Sequence, residues 1–165
     1  MILESVFNIF FPPRCLHCEV GLQSGEVLCN ACFSSIGISR APFCGRCGSR
    51  LPNNKKECHL DFPYLLLAAG NYSSEPLKKL ILGLKFKYLT RAAKPLTKLM
   101  ISYVEGLEIN LTNFEVVPIP LSKKRERMRG FNQAALLAEP LAQHFNLPIV
   151  QNNLVRILHT KPQSE

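Results

Sequence analysis

At 165 residues, with 47% hydrophobic and 19% charged residues, the chain has the composition of a folded globular protein, which excludes a disordered tail. Its formal charge is +8 and its sequence pI is near 9.3, a bias toward anionic partners such as nucleic acid or phosphorylated metabolites. A four-thiolate zinc site carries a net charge of about −2, so one such site would lower the total to about +6, and a second, three-thiolate site to about +5.

The chain opens on an apolar lead containing Ile2, Leu3, Val6, Phe7, Ile9, Phe10 and Phe11, which Pro12 and Pro13 stop. It has no basic leader and no A-x-A-like cleavage site, so it is not expected to be a signal peptide. It is also too short to span a bilayer. The expectation for residues 1–13 is a short amphipathic helix packed on the cysteine-rich segment next to it.

All seven cysteines fall between positions 15 and 58. An odd number in close CxxC pairs suits metal ligation better than a disulfide framework, and reduced thiols imply a cytoplasmic setting. Cys15, Cys18, Cys29 and Cys32 form two CxxC pairs, each able to chelate one ion with two thiolates, together completing a tetrahedron. A helix start is expected at the second pair, where backbone amides stabilise thiolate charge. His17, inside the first knuckle, is not expected to be a ligand because the cysteines already fill the shell.

A second set comes next: Cys44, Gly45, Arg46, Cys47 and Gly48, then Cys58. Asp61 stands where a fourth cysteine is expected. A carboxylate can ligate zinc, with His59 as the alternative ligand. The competing readings are a decayed site held by packing and a crossed pairing between the two sets. With closed shells the zinc is structural, folding a segment too poor in apolar residues to fold alone.

Beyond position 62 the pattern becomes α/β. Tyr64 to Gly70 is a short apolar run ending in Gly, predicted as a buried strand. Leu77, Leu80, Ile81, Leu84 and Tyr88 make one helical face, with Ser74 as cap and Pro76 in the first turn. Leu96, Leu99, Met100, Tyr103 and Leu107 make another, in a helix that starts near Lys94 or bends at Pro95. Both stripes are read as core. Residues 114–120 predict a strand ending in two prolines, and 121–130 a basic loop with a net charge of +4. Phe131, Ala134, Leu137, Ala138, Leu141 and Phe145 predict a helix kinked at Pro140, and 146–150 a second strand. Strand, helix and strand in that length are the size of a βαβ unit. A loop between the first strand and the helix is where such folds bind phosphate, although a charge run is more often simply solvated.

Val117-Pro118-Ile119-Pro120 followed by Arg129-Gly130-Phe131-Asn132-Gln133 resembles the ComF/GntX family of competence and DNA-utilisation proteins. Phe11-Pro12-Pro13-Arg14-Cys15, the paired knuckles, Leu80-Ile81 through Leu84-Lys85-Phe86, and Thr160 with Gln163 agree in the same order. The resemblance implies an α/β protein: a double zinc ribbon over 14–62, then a phosphoribosyltransferase-like (Rossmann-like) domain over 63–165. It also implies that Lys85, Arg129, Gly130, Asn132 and Gln133 border the place of a phosphoribosyl pyrophosphate-like ligand. The paired acids and Thr-Thr-Gly-type loop that grip the ribose phosphate in such enzymes have no counterpart here. The domain is therefore expected to be incomplete at its C-terminal end, to lack phosphoribosyl pyrophosphate binding and to be inactive in transfer. Asp61 and Pro140 also depart from the family pattern.

Three functional readings stay open. The first is a phosphoribosyltransferase relative linked to uptake or utilisation of external DNA. The second is a zinc-ribbon accessory module that binds single-stranded DNA through the ribbon and the basic loop, or the DNA-translocation machinery on its cytoplasmic side, with Lys123, Lys124, Arg125 and Arg127 as contacts. It predicts salt-sensitive binding, although only Phe131 accompanies the basic stretch as a stacking group. The third is a truncated remnant without activity.

Overall fold

The structure is a computed structural model describing residues 12–52, 58, 59, 61, 64–151 and 153–157. The expected helix over 1–13 lies outside the described residues except for Pro12 and Pro13, and Thr160 and Gln163 lie outside them too. In chain order the elements are α1 (Asn30–Ser34), β1 (Phe43–Cys44), β2 (Leu65–Leu66), α2 (Glu75–Phe86), a 3-10 turn (Thr90–Ala92), α3 (Ala93–Glu105), α4 (Lys123–Arg129) and α5 (Gln133–Phe145).

The two leucine stripes make the core. Leu77, Leu80 and Leu84 of α2 meet Leu96 and Leu99 of α3, with Ala92 at the corner. Each leucine buried this way stabilises the fold by about 2 kcal/mol. Ser74 occupies the N-cap position of α2, although its side chain makes no capping hydrogen bond, and Pro76 falls in the first turn as predicted. Pro95 falls in the first turn of α3, where a missing amide proton costs little. Two expected stripe members drop out: Tyr88 and Leu107 both lie beyond their helix ends. Tyr88 takes a positive φ of 54° and is exposed.

The same core runs into the cysteine segment. Cys15, Val27, Leu28, Cys32 and Ile36 are buried in one cluster with the α2 and α3 leucines. The first knuckle thus forms one wall of the main core.

The predicted buried strand over Tyr64–Gly70 is corrected by the structure. Leu65 and Leu66 alone form a strand, antiparallel with β1, in the register Phe43 opposite Leu66 and Cys44 opposite Leu65, while Gly70 makes an isolated antiparallel bridge with Ile38. Tyr64, Leu66 and Leu67 are exposed. An apolar run says nothing about what covers it, and a two-strand ladder buries little. Gly70 has a packing role: a Cβ there would stand 2.8 Å from Leu77 Cδ2, so a larger residue would make the Leu77 side chain shift.

The expected strands over 114–120 and 146–150 shrink to one parallel bridge, Val116 with Ile149. Val116 N–H donates to the Pro148 carbonyl, and Val150 N–H to the Val116 carbonyl, both at 2.9 Å. The basic stretch is corrected from loop to helix. Ser122 caps α4 by accepting from the Arg125 amide at 3.4 Å, and Gly130 ends it in the left-handed region at φ 78°. Lys, Arg, Glu and Met are good helix formers, so a cap and a stop suffice. Asn132 caps α5 through its Oδ1, which accepts from the Ala134 amide at 2.9 Å. Pro140 lies inside α5, which continues to Phe145, packs on α3 and buries Ala138 and Ala142.

Among the described residues, no helix is long and apolar enough to cross a membrane.

Candidate metal centres

The first knuckle is a tight turn. Cys15 N–H donates to the Val20 carbonyl at 2.9 Å, and Glu19 N–H returns to the Cys15 carbonyl at 3.0 Å. Cys29 is the N-cap of α1, and its sulfur accepts from the Cys32 amide at 3.4 Å. The Cys29 amide in turn points at Cys15 Sγ, 3.5 Å away. The four sulfurs of Cys15, Cys18, Cys29 and Cys32 lie within 4.8 Å of one another. His17 Nδ1 is 3.3 Å from Cys32 Sγ, beside the set.

The electrostatics show what such a set requires. Burial pushes the Cys15 thiol up, but amide donation from Cys18, Cys29 and His17 outweighs it and brings Cys15 down to about 6. Burial, with hydrogen bonds to the sulfurs of Cys29, Cys18 and Cys15, pushes Cys32 up to about 12. One thiolate is welcome and the next is refused. A divalent cation removes that conflict, because its charge lets every thiol ionise.

The second set is built on β1. Cys44 N–H donates to the Ser49 carbonyl and Gly48 N–H to the Cys44 carbonyl, both at 2.9 Å, with Gly48 at a positive φ of 69°. Cys47 Sγ is 3.8 Å from Cys58 Sγ, and Cys44 Sγ is 3.5 Å from His59 Nδ1. Cys44, Cys47, Cys58 and His59 offer their ligand atoms within 4.8 Å of one another. Hydrogen bonding to the Ser49 side chain and backbone brings Cys47 down to about 6, while the hydrogen bond to Cys47 pushes Cys58 up. Asp61 is not in this set. Its carboxylate is exposed and paired with the Arg46 guanidinium, so the position read as the eighth ligand is occupied by a surface ion pair and His59 takes the inner place.

Both sets have the donor chemistry of structural zinc: four soft or borderline ligand atoms close together, none of them a carboxylate. Donors and spacing therefore fit the metal.

The residues linked to a phosphorylated ligand are partly brought together. Lys85 and Gln133 line one cleft of about 310 Å³, otherwise walled by apolar side chains including Leu77, Ile81 and Leu137. Arg129 donates to the Gln133 side-chain oxygen. Gly130 and Asn132 serve the turn between α4 and α5, where Asn132 Nδ2 also donates to the Ile119 carbonyl at 3.2 Å. Lys123, Lys124, Arg125 and Arg127 all lie on α4, which buries no residue of its own, and Arg127 Nε donates to the Lys123 carbonyl at 3.3 Å.

The double zinc ribbon domain family matches residues 6–60. Over 164 aligned residues the chain is 30% identical to competence protein F of Haemophilus influenzae, covering 93% of this chain and 70% of that protein. This chain belongs to the competence protein F family. The DNA utilization protein YhgH of Escherichia coli is 30% identical over 134 residues, 78% of this chain, and the chain spans 53% of its length. Competence protein ComFC of Bacillus subtilis is 56% identical over 41 residues, 25% of this chain and 17% of that protein. No solved structure matches the chain significantly.

Proposed function

We propose that this chain serves the uptake or utilisation of external DNA, as a zinc-stapled relative of phosphoribosyltransferases acting in the cytoplasm. The observation that carries the reading is the alignment with a competence protein across 93% of the chain. Two structural zinc ions are held, one by Cys15, Cys18, Cys29 and Cys32, the other by Cys44, Cys47, Cys58 and His59. Their chemistry is scaffolding: they hold the two knuckle sets together and brace the helices behind them.

Residues 63–165 belong, in this reading, to a phosphoribosyltransferase-like α/β domain. The parallel bridge of Val116 with Ile149 across α5 supports the α/β order, and the cleft shared by Lys85 and Gln133 supports a small-molecule site. No paired acids followed by a Thr-Thr-Gly-type loop occur in these 165 residues, so by themselves they neither grip a ribose phosphate in that way nor catalyse transfer. The exposed cations of α4, Lys123, Lys124 and Arg127, contact DNA phosphates, with Arg125 on the same helix.

Deleting the gene in its host and measuring transformation with donor DNA, together with growth on DNA as nutrient, tests the role. Both should fall and be restored by the wild-type gene but not by Cys15→Ser with Cys29→Ser. Undiminished transformation and growth in the deletion strain would overturn it.

A further inference from the structure

A cleft of about 350 Å³ lies between the turn at residues 23–28 with α1 on one side and the 3-10 turn with α3 on the other. One wall is the polar turn carrying Ser24 and Glu26 together with Asn30 of α1, and the other carries Arg91, Lys94 and Lys98. These three cations recur at i, i+3 and i+7, so they share one face of the 3-10 turn and α3. All three are exposed. Among the described residues none makes an ion pair, whereas Arg46, Lys78 and His144 do. Lys98 Nζ stands 5.1 Å from the centroid of the Phe33 ring, which holds the ammonium at the cleft by a cation–π contact.

Stability does not explain this arrangement. Three like charges along one helical face repel one another, and no carboxylate but Glu26 lines the cleft. Glu26 Oε2 is itself engaged by the Gln23 amide at 3.3 Å. From Arg91 to Lys98 the cations extend over about 10 Å of helix at 1.5 Å per residue, more than a single phosphate group covers. Amide and hydroxyl groups opposite them, on Asn30 and Ser24, suit the sugar and base edges of an unpaired strand.

We propose that the cleft between α1, with the turn before it, and α3 holds the sugar-phosphate backbone of single-stranded DNA, with Arg91, Lys94 and Lys98 as its phosphate contacts. This rests on the DNA-handling role proposed above and places the strand on a surface separate from α4. The zinc set then has a second consequence: it fixes the wall that faces the three cations.

The test uses the zinc-loaded full chain and a fluorescein-labelled oligothymidylate of about 16 nucleotides, within the range of single-strand site sizes, with anisotropy read at several salt concentrations. Three phosphate contacts contribute about −2 to the slope of log K against log salt. Arg91→Gln/Lys94→Gln/Lys98→Gln should remove that much slope, which is roughly a hundredfold in affinity at about 0.1 M salt, while keeping the zinc content and circular dichroism of the wild type. Lys94→Glu alone should weaken binding in the same direction, and Glu26→Gln should tighten it. If the wild type binds and the triple variant keeps its slope while Lys123→Gln/Lys124→Gln/Arg127→Gln loses it, the cleft proposal is overturned and the DNA role stands. A mononucleotide that competes as well as the oligomer also overturns it, since the cleft would then take a lone phosphate. Failure of the wild type to bind the oligomer would remove the cleft proposal together with the DNA contact on which it rests.

Discussion

The Tyr103 hydroxyl donates a hydrogen bond to the Ala41 carbonyl at 2.9 Å, both residues being buried. The last turns of α3 are thereby tied to the link between the two knuckles, 62 residues away in sequence. Tyr103→Phe leaves that carbonyl without its partner, and the expected loss is about 1–2 kcal/mol, read as a lower denaturation midpoint. Burial also pushes the Tyr103 phenol up from its ordinary value. The folded chain therefore keeps this proton where the unfolded chain, with an ordinary phenol near 10, releases it. Unfolding then gains on the folded state as pH rises above about 10. Wild-type stability should fall more steeply there than that of Tyr103→Phe.

Metal removal should not stay local. Cys15 and Cys32 belong to the same buried cluster as Leu80, Leu84, Leu96 and Leu99, so chelation opens a wall of the main core. Amide exchange should accelerate in α2 and α3 as well as in the knuckle, and lowering the pH should act in the same direction as protons compete for the thiolates. Slow exchange in α2 and α3 after complete zinc loss would contradict this.

The second set separates two neighbouring residues. His59→Ala should reduce bound zinc from two ions to one, measured by mass spectrometry under native conditions. Asp61→Asn should leave both in place and remove only the exposed pair with Arg46, worth well under 1 kcal/mol. The reverse outcome would return the ligand role to Asp61.

Ser122→Ala removes the side-chain acceptor at the start of α4. A seven-residue helix with no buried residue depends on its caps more than on packing. The expected cost is about 1 kcal/mol, seen as lost helicity in this segment and faster exchange of the Arg125 amide, with the core helices unchanged.

Chemistry carried by short sequence separations is the most legible. A CxxC pair brings two sulfurs together through one turn, and a leucine stripe marks a buried helix face wherever it packs. For that reason the two cysteine groups and both central helices follow from residue spacing alone. The helix at Lys123–Arg129 is legible in principle, because Ser122 and Gly130 are its cap and stop. The charge run between them masks those signals. Arg91, Lys94 and Lys98 escape a reading of the sequence for the complementary reason: an apolar stripe defines the inner face of a helix and leaves its polar face undefined.

By itself the sequence determined where sulfur ligands cluster and which helix faces turn inward, since both follow from spacing along a few turns of backbone. The tertiary structure alone decided that His59 rather than Asp61 joins the second set. It also decided that the predicted strands amount to a short ladder and two isolated bridges, and that the first cysteine set shares its core with α2 and α3. Those outcomes depend on which distant group arrives to cover an apolar run, fill a coordination shell or leave a row of charges unpaired.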